Sequence, residues 1–118
     1  MYTAEIKLSR NPQFHRKVLA FFWFCFQHWN AENAGLGNTD ERTQFKRFRK
    51  DLTILAGYYD TVVNIRGEVR AEAKSIAYAN MQQDEFEELY NALINAAIKH
   101  VFAGTKDQNI LNRLQSFF

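Results

Sequence analysis

The pattern of hydrophobic and polar positions in this 118-residue chain predicts four helices and a β-hairpin. The first helix should run from Pro12 to about Asn30 and contains an unbroken apolar stretch, residues 18–26. Pro12, the sole proline, suits the first turn of a helix, with Asn11 as its cap. A surface helix has one apolar stripe, so this helix should be covered on nearly every side, by the fold or by a partner.

The second helix is predicted from apolar residues at helical spacing. Its apolar positions are Phe45, Phe48, Leu52 and Leu55. Asn38 and Glu41 have the spacing of a capping box, so the helix should start at Asn38 or Thr39. Gly57 is a natural C-terminal stop for it.

Two further helices follow the same spacing in the C-terminal part of the chain. The third should span about residues 83–102, with Gly104 closing it. Acidic residues fill its first two turns, where the helix dipole favours negative charge. A short last helix should follow, with Thr105 and Gln108 capping its start.

Strand patterns complete the predicted fold. Residues 2–8 alternate between apolar and polar and suit a short half-buried strand. Residues 58–65 and 69–78 predict a β-hairpin, because the glycine-centred turn 66–68 lies between them. The expected fold class is α+β in a single domain over residues 1–118. A helical bundle surrounds the central aromatic helix and carries a small antiparallel sheet, the N-terminal strand plus the hairpin.

Composition narrows the classes of protein. Hydrophobic residues make up 47% of the chain and the net charge is +2, which is typical of a soluble globular protein. The single cysteine, Cys25, excludes an internal disulfide and a cysteine-based zinc site. The apolar stretch 18–26 is too short to span a bilayer, so no membrane partner is expected and the cytoplasm is the predicted location.

The sequence contains no recognisable catalytic or cofactor motif. Its histidines are His15, His28 and His100. Cys25 and His28 have a spacing that two helical metal ligands can adopt, but no third ligand lies nearby. No glycine-rich phosphate loop and no nucleophile motif are present. We therefore expect no enzyme activity, no metal and no cofactor.

Positive charge is concentrated in the second helix. Residues 42–50 contain five cations and no acid, and four of those cations share one helix face. Such a face can track phosphates, and aromatic rings beside it can stack on bases. The candidate nucleic-acid-binding residues are Arg10, Arg16, Lys17, Arg42, Lys46, Arg49, Lys50, Trp23 and Trp29, with Tyr58 and Tyr59 as further platforms. A solvated basic face beside an aromatic core is the alternative interpretation.

Several runs of residues carry a resemblance to a known family. They are residues 48–59 (FRKDLTILAGYY), 73–81 (AKSIAYANM), 86–90 (FEELY) and the opening run 10–17 (RNPQFHRK), which an aromatic helix and Trp29 follow. Their order resembles a family of phage and prophage proteins of unknown function, found near recombination and replication genes. Members of that family are often longer, with a fuller N-terminal section and a longer stretch after the tryptophan helix, so this chain resembles a compact member.

The resemblance implies a phage origin and supplies no catalytic residues. The opening helix, basic and then aromatic, is similar in style to that of the lambda NinB recombination mediator. We therefore expect a phage accessory protein of the host cytoplasm that binds DNA, with single-stranded DNA as one candidate, or a DNA-processing complex in recombination or replication.

The alternative function is docking on a host protein complex to inhibit a defence system, as an anti-CRISPR does. Exposed aromatic patches are typical of protein interfaces, and a homodimer would point to the same surface. The location of Trp23 and Phe24 bears on this choice. Burial under the hairpin would weaken the docking hypothesis, and an open groove would strengthen it.

Overall fold

The computed structural model describes residues 12–32 and 40–117 and confirms an α+β fold. Within these residues, four helices and a two-stranded antiparallel sheet are present, with one turn of 3₁₀ helix. In chain order they are α1 (Pro12–Glu32), α2 (Glu41–Leu55), β1 (Tyr59–Val63), β2 (Val69–Ala73), the 3₁₀ turn (Tyr78–Asn80), α3 (Gln83–His100) and α4 (Gln108–Ser116). The strand expected at residues 2–8 lies outside the described residues.

Helix α1 supplies the centre of the hydrophobic core. Its buried side chains are Phe14, Val18, Phe21, Phe22, Cys25 and Phe26. They pack against α3, where the ring of Phe86 stacks on that of Phe14 with centroids 4.0 Å apart and planes 4° from parallel. The expected cover on nearly every side is incomplete, because Ala20, Trp23 and Gln27 form an exposed stripe along the helix.

Helices α1 and α3 start where they were predicted to start, and α2 and α4 start two to three residues later than predicted. The predicted caps Asn11 and Asn38 lie outside the described residues. Helix α2 begins at Glu41, and the Asp40 carboxylate caps it by accepting a hydrogen bond from the Thr43 backbone N–H (3.2 Å). The predicted start at residue 38 or 39 was therefore early. Helix α4 begins after Asp107, whose carboxylate accepts from the Asn109 N–H (2.9 Å). The predicted cap Thr105 instead accepts a hydrogen bond from the Asp107 N–H.

The hairpin is shorter than predicted and its turn is longer. Register runs from the pair Tyr59 and Ala73 to the pair Val63 and Val69. The Asn64 side-chain oxygen accepts hydrogen bonds from two backbone N–H groups of the turn, at 2.9 and 3.0 Å. The chain leaves the sheet after Ala73 because residues 74–78 cross to the 3₁₀ turn, which packs against α1.

A buried hydrogen bond joins α3 to α4. The Tyr90 hydroxyl donates to the backbone carbonyl of Leu114 at 2.7 Å, and both residues are fully buried. Helix α3 ends at His100, two residues before the predicted end, and Gly104 follows with a φ of 72°. No helix in the described part of the chain is long and apolar enough to cross a membrane.

Candidate nucleic-acid interface

Two adjoining clefts lie along the seam between α2 and β2. The inner cleft, of about 340 Å³, is lined by His15 of α1, Arg49, Lys50 and Thr53 of α2, and Lys74 and Tyr78 after β2, among others. The outer cleft, of about 330 Å³, is lined by Arg47, Lys50, Ile54, Arg70 and Glu72, among others. Lys50 and Ala73 line both clefts. We call the two together the basic groove.

Helical geometry positions the α2 cations at this seam. Phe48 and Leu52 are buried against the core and fix the rotation of the helix. Each residue advances about 100° around the axis, so Lys50 lies nearly opposite these anchors, whereas Arg49 lies at the edge of the buried face. Both residues line the inner cleft. The Arg49 guanidinium carbon lies 5.5 Å from the ring centroid of Phe45, a cation–π distance. The core thus presents the two cations to the groove at fixed positions.

The groove carries more positive than negative charge. Two ion pairs form on the hairpin, Arg70 with Glu72 at 2.9 Å and Lys74 with Asp60 at 2.8 Å. Both are exposed, and such pairs contribute little to stability. Neither pair involves Arg47, Arg49 or Lys50, so these α2 cations of the groove have no ion-pair partner within residues 12–32 and 40–117. Anionic ligands would be attracted to this surface.

Two rings contribute to the wall of the inner cleft. The rings of His15 and Tyr78 have centroids 6.1 Å apart and planes at 41°. Burial raises the pKa of the Tyr78 hydroxyl, while the charge of Arg49 and a hydrogen bond with Thr53 act in the opposite direction. The hydroxyl is therefore neutral near pH 7 and able to donate a hydrogen bond.

The candidate cations chosen from the sequence are only partly brought together. Arg49 and Lys50 lie in the basic groove. Arg16, Lys17, Arg42 and Lys46 line neither of its clefts. Arg42 lies at the opposite end of α2, in a shallow cleft with Asp40 and Glu41. Arg10 lies outside the described residues.

The candidate aromatic platforms lie away from the groove. Trp23 is 39% exposed and packs edge-on against Phe45, with centroids 5.1 Å apart. Trp29 is half-buried and lines a separate cleft, where residues from the other flank of α2 meet His100. Tyr58 and Tyr59 line neither cleft of the groove. The two tryptophans are therefore separated from the cations that they were expected to assist.

Of the two residues that bear on the docking hypothesis, Trp23 is exposed and Phe24 is half-buried. Trp23 is not under the hairpin, because its neighbours are Phe26 and the N-terminal half of α2. Phe24 is half-buried between Phe102 and Phe117, with ring centroids 5.9 and 5.7 Å away. One ring is thus open to a partner and the other is packed within the fold.

Comparison with protein families gives one match. The model of DUF1367, a family described as proteins of unknown function, matches residues 36–115. The chain belongs to this family. Comparison with curated proteins and with solved structures gives no significant match. The match extends from just before α2 into α4, so it includes every described groove residue except those contributed by α1.

Sequence reasoning missed several residues of this DUF1367 groove. Lys74, Tyr78 and Arg70 are not among the binding residues predicted from the sequence, and His15 appears there only among the histidines that could ligate a metal. A signal for two of them was present, because Lys74 and Tyr78 lie in the run 73–81. That run and the run 48–59, which together carry much of the family resemblance, meet at the inner cleft.

The remaining chemical groups suggest packing roles. Within the described residues, no three His, Cys, Asp or Glu side chains lie close enough to hold a metal ion. Cys25 is fully buried, and burial raises the pKa of its thiol well above the ordinary value. His28 packs against Phe102 with ring centroids 4.5 Å apart. The basic groove is thus the best candidate for a functional site in this part of the chain.

Proposed function

We propose that this DUF1367 protein binds DNA through the basic groove, as a phage accessory protein without catalysis of its own. The supporting observation is the convergence of Arg47, Arg49 and Lys50 on one seam, with no acidic partner among the described residues. The phage setting, in recombination or replication and in the host cytoplasm, rests on the family resemblance of its sequence runs.

Phosphate recognition follows from the charge of the groove. A DNA strand carries one negative charge per nucleotide, and each cation that contacts a phosphate releases a bound counterion. Arg47 and Lys50 lie in the outer cleft, and Lys50 and Arg49 continue the positive surface into the inner cleft. Successive phosphates of one strand can therefore be neutralised along a single path.

Single-stranded DNA fits the groove better than a duplex. The rings of His15 and Tyr78 lie within the inner cleft, so an unstacked base can reach them. In a duplex the faces of the bases are covered by their neighbours. Single-strand binding typically combines a cationic path with such rings.

A charge-matched pair of variants tests this proposal. The groove variant carries Arg47→Gln and Lys50→Gln, and the control carries Arg42→Gln and Lys46→Gln on the same helix. For a strand of about 15 nucleotides, we expect the groove variant to lose about tenfold or more in affinity and about 1.4 in the slope of log K against log salt. The control variant should keep most of the affinity and most of the salt slope. Fluorescence anisotropy over about 50–200 mM salt measures them.

Two results would contradict the proposal. If the native protein binds no strand even at low salt, DNA is not its ligand. If the two double variants lose equal affinity, the whole basic face of α2 attracts DNA nonspecifically and the groove has no special role. Equal melting temperatures for the three proteins show that the substitutions act on binding, since exposed charges contribute little to folding.

A specific surface supports the alternative, docking on a host protein complex in the manner of an anti-CRISPR. Val63, Ile65 and Val69 are exposed at the hairpin end, with Ile65 completely exposed. Aliphatic side chains in such a position are typical of contact sites for proteins, a second copy of the chain included. A nuclease-resistant host complex that Ile65→Asp abolishes, with DNA binding unchanged, would favour this function.

A further inference from the structure

The inner cleft contains a partly buried cation, Arg49, that has no acidic partner in the part of the chain that the structure describes. Arg49 is half-buried, and its guanidinium packs on the ring of Phe45. Among the described residues, no carboxylate lines the cleft and Arg49 forms no ion pair. Partial removal of a charge from water is unfavourable unless an opposite charge or hydrogen bonds compensate. An anionic ligand in the cleft would supply that compensation.

Arg113, which also packs on an aromatic ring, shows by comparison what is unusual about Arg49. The Arg113 guanidinium carbon lies 4.7 Å from the ring centroid of Phe117, so it also packs on an aromatic face. Arg113, however, is exposed and lies on α4, away from both clefts. Water can solvate its remaining donors. Arg49 combines the same aromatic contact with partial burial and with further cations beside it.

Donors from three parts of the chain converge on the same cleft. Lys50 comes from α2, Lys74 and the Tyr78 hydroxyl come from the segment after β2, and His15 comes from α1. Lys74 also pairs with the exposed Asp60 at 2.8 Å, so that carboxylate competes for its charge. The other described side chains of the lining carry no negative charge. The described lining of the cleft thus presents several donors and no carboxylate to a ligand.

We propose that the inner cleft binds a phosphate monoester, the terminal phosphate of a DNA strand, an inference that rests on the proposed DNA-binding function. A terminal phosphate carries up to two negative charges and three strong acceptor oxygens, whereas an internal phosphate diester carries one charge. The planar guanidinium of Arg49 matches such an oxygen array. The cleft volume of about 340 Å³ lies at the small end of ligand pockets, which suits one terminal nucleotide.

Two apolar residues of α1 line the inner cleft. They are Leu19 and the almost fully buried Phe22, so the strand cannot pass through the core. The outer cleft continues from Lys50 toward Arg47 and Arg70. If the end of a strand lies in the inner cleft, its next phosphates can lie along the outer one, beside Lys50 and Arg47.

The test compares strands that differ only at their ends. Oligonucleotides of one sequence carry a 5′-phosphate, a 3′-phosphate or no terminal phosphate, and their affinities are measured by isothermal titration calorimetry. We expect one phosphorylated end to bind about tenfold tighter than the unphosphorylated strand, and the preferred end identifies the polarity. A deoxynucleoside monophosphate of the preferred end should compete, and inorganic phosphate should compete more weakly.

A pair of arginine variants connects the preference to the cleft. Arg49→Gln should remove the preference for a terminal phosphate, and Arg113→Gln should keep it. Because Arg49→Gln also alters the contact with Phe45, its melting temperature is measured with and without the monophosphate. The ligand should raise the melting temperature of the native protein and of Arg113→Gln, but not that of a folded Arg49→Gln variant.

The outcomes separate this inference from the proposed function. Equal affinity for all three strands, each bound, would overturn the terminal-phosphate site and leave DNA binding intact. If the protein binds the monophosphate but none of the strands, the cleft is a phosphate site whose ligand is not DNA, and the proposed DNA-binding function is wrong. A preference that Arg49→Gln leaves unchanged would place the terminal phosphate elsewhere and overturn the assignment.

Discussion

The helical core and the hairpin contain similar apolar residues, but the core buries them and the hairpin exposes them. In α1 and α3 the large side chains are mostly buried, and several are fully so. On the hairpin and its turn, Tyr59, Val63, Ile65 and Val69 are all exposed. The difference follows from the neighbours of each element. Helix α1 packs against α2, α3 and the 3₁₀ turn, whereas the main neighbour of the sheet is the side of α2. Burial therefore depends on the layers around an element as well as on its hydrophobicity.

The candidate site lies where these two regions meet. The core holds α2 in a fixed rotation through Phe48 and Leu52, and this sets the positions of the groove cations. The segment that leaves the hairpin then brings Lys74 and Tyr78 to the same place. Helix α2, which the core holds in place, and the segment that leaves the exposed hairpin thus form two walls of the groove. The comparison predicts that substitutions in the two regions will differ strongly in their effect on stability.

The largest effect is expected in the aromatic core. Phe26 is 1% exposed, and its ring lies 5.3 Å from that of Phe45 and 5.5 Å from that of Phe48 by centroid distance. Phe26→Ala removes this connection between α1 and α2 and leaves a cavity. We expect a loss of about 3–5 kcal/mol in the free energy of unfolding, measured by urea denaturation.

An exposed hairpin residue serves as the control for Phe26. Val63 is 64% exposed, so Val63→Ala should cost about 0.5 kcal/mol or less. If Phe26→Ala costs less than about 1 kcal/mol, the rings around it do not form a tightly packed core. Similar losses in the two variants would remove the contrast between core and hairpin.

Periodicity predicted the core well because burial follows from helical spacing. The stripes of α2 and α3 could be read directly, since their apolar residues recur on one face. The caps were less predictable. Asn, Asp and Thr all cap helices, and only the path of the chain decides that Asp40 and Asp107 do so.

The candidate site was predictable only in part for a related reason. Arg49 and Lys50 were found because a single helix places them together. Lys74 and Tyr78 approach them through the docking of a separate segment, and no local pattern encodes that distance. Trp23 and Trp29 were chosen by residue type, but the rotation of α1 directs them away from the groove.

A smaller effect is expected at the buried contact between α3 and α4. Tyr90→Phe removes the hydroxyl that donates to the Leu114 carbonyl at 2.7 Å. The carbonyl then loses a buried donor, which should cost about 1–3 kcal/mol in urea unfolding near pH 7. A change below about 0.5 kcal/mol would show that this hydrogen bond is replaced by another partner, such as water.

Alkaline pH gives an independent check on the burial of Tyr90. Burial, and next the nearby Cys25, raises the pKa of Tyr90 above its ordinary value of 10.0. Above that pH the unfolded chain loses the proton while the folded chain keeps it, so stability falls as pH rises. Tyr90→Phe has no such proton to lose. Its free energy of unfolding should therefore approach that of the native protein by up to about 1.4 kcal/mol per pH unit above about pH 10. A constant deficit would indicate that the hydroxyl is accessible to solvent.

The smallest effect is expected at the tip of the hairpin. Ile65 is completely exposed, whereas its neighbour Asn64 accepts two backbone hydrogen bonds that shape the turn. Ile65→Ser should change the free energy of unfolding by less than about 0.5 kcal/mol, since no buried contact is lost. Asn64→Ala should cost more, about 1 kcal/mol, because it removes the turn hydrogen bonds. A loss above about 1 kcal/mol for Ile65→Ser would show that this side chain is covered in solution. If that loss also depends on protein concentration, the cover is a second copy of the chain, and the hairpin is an interface rather than a solvent-exposed arm.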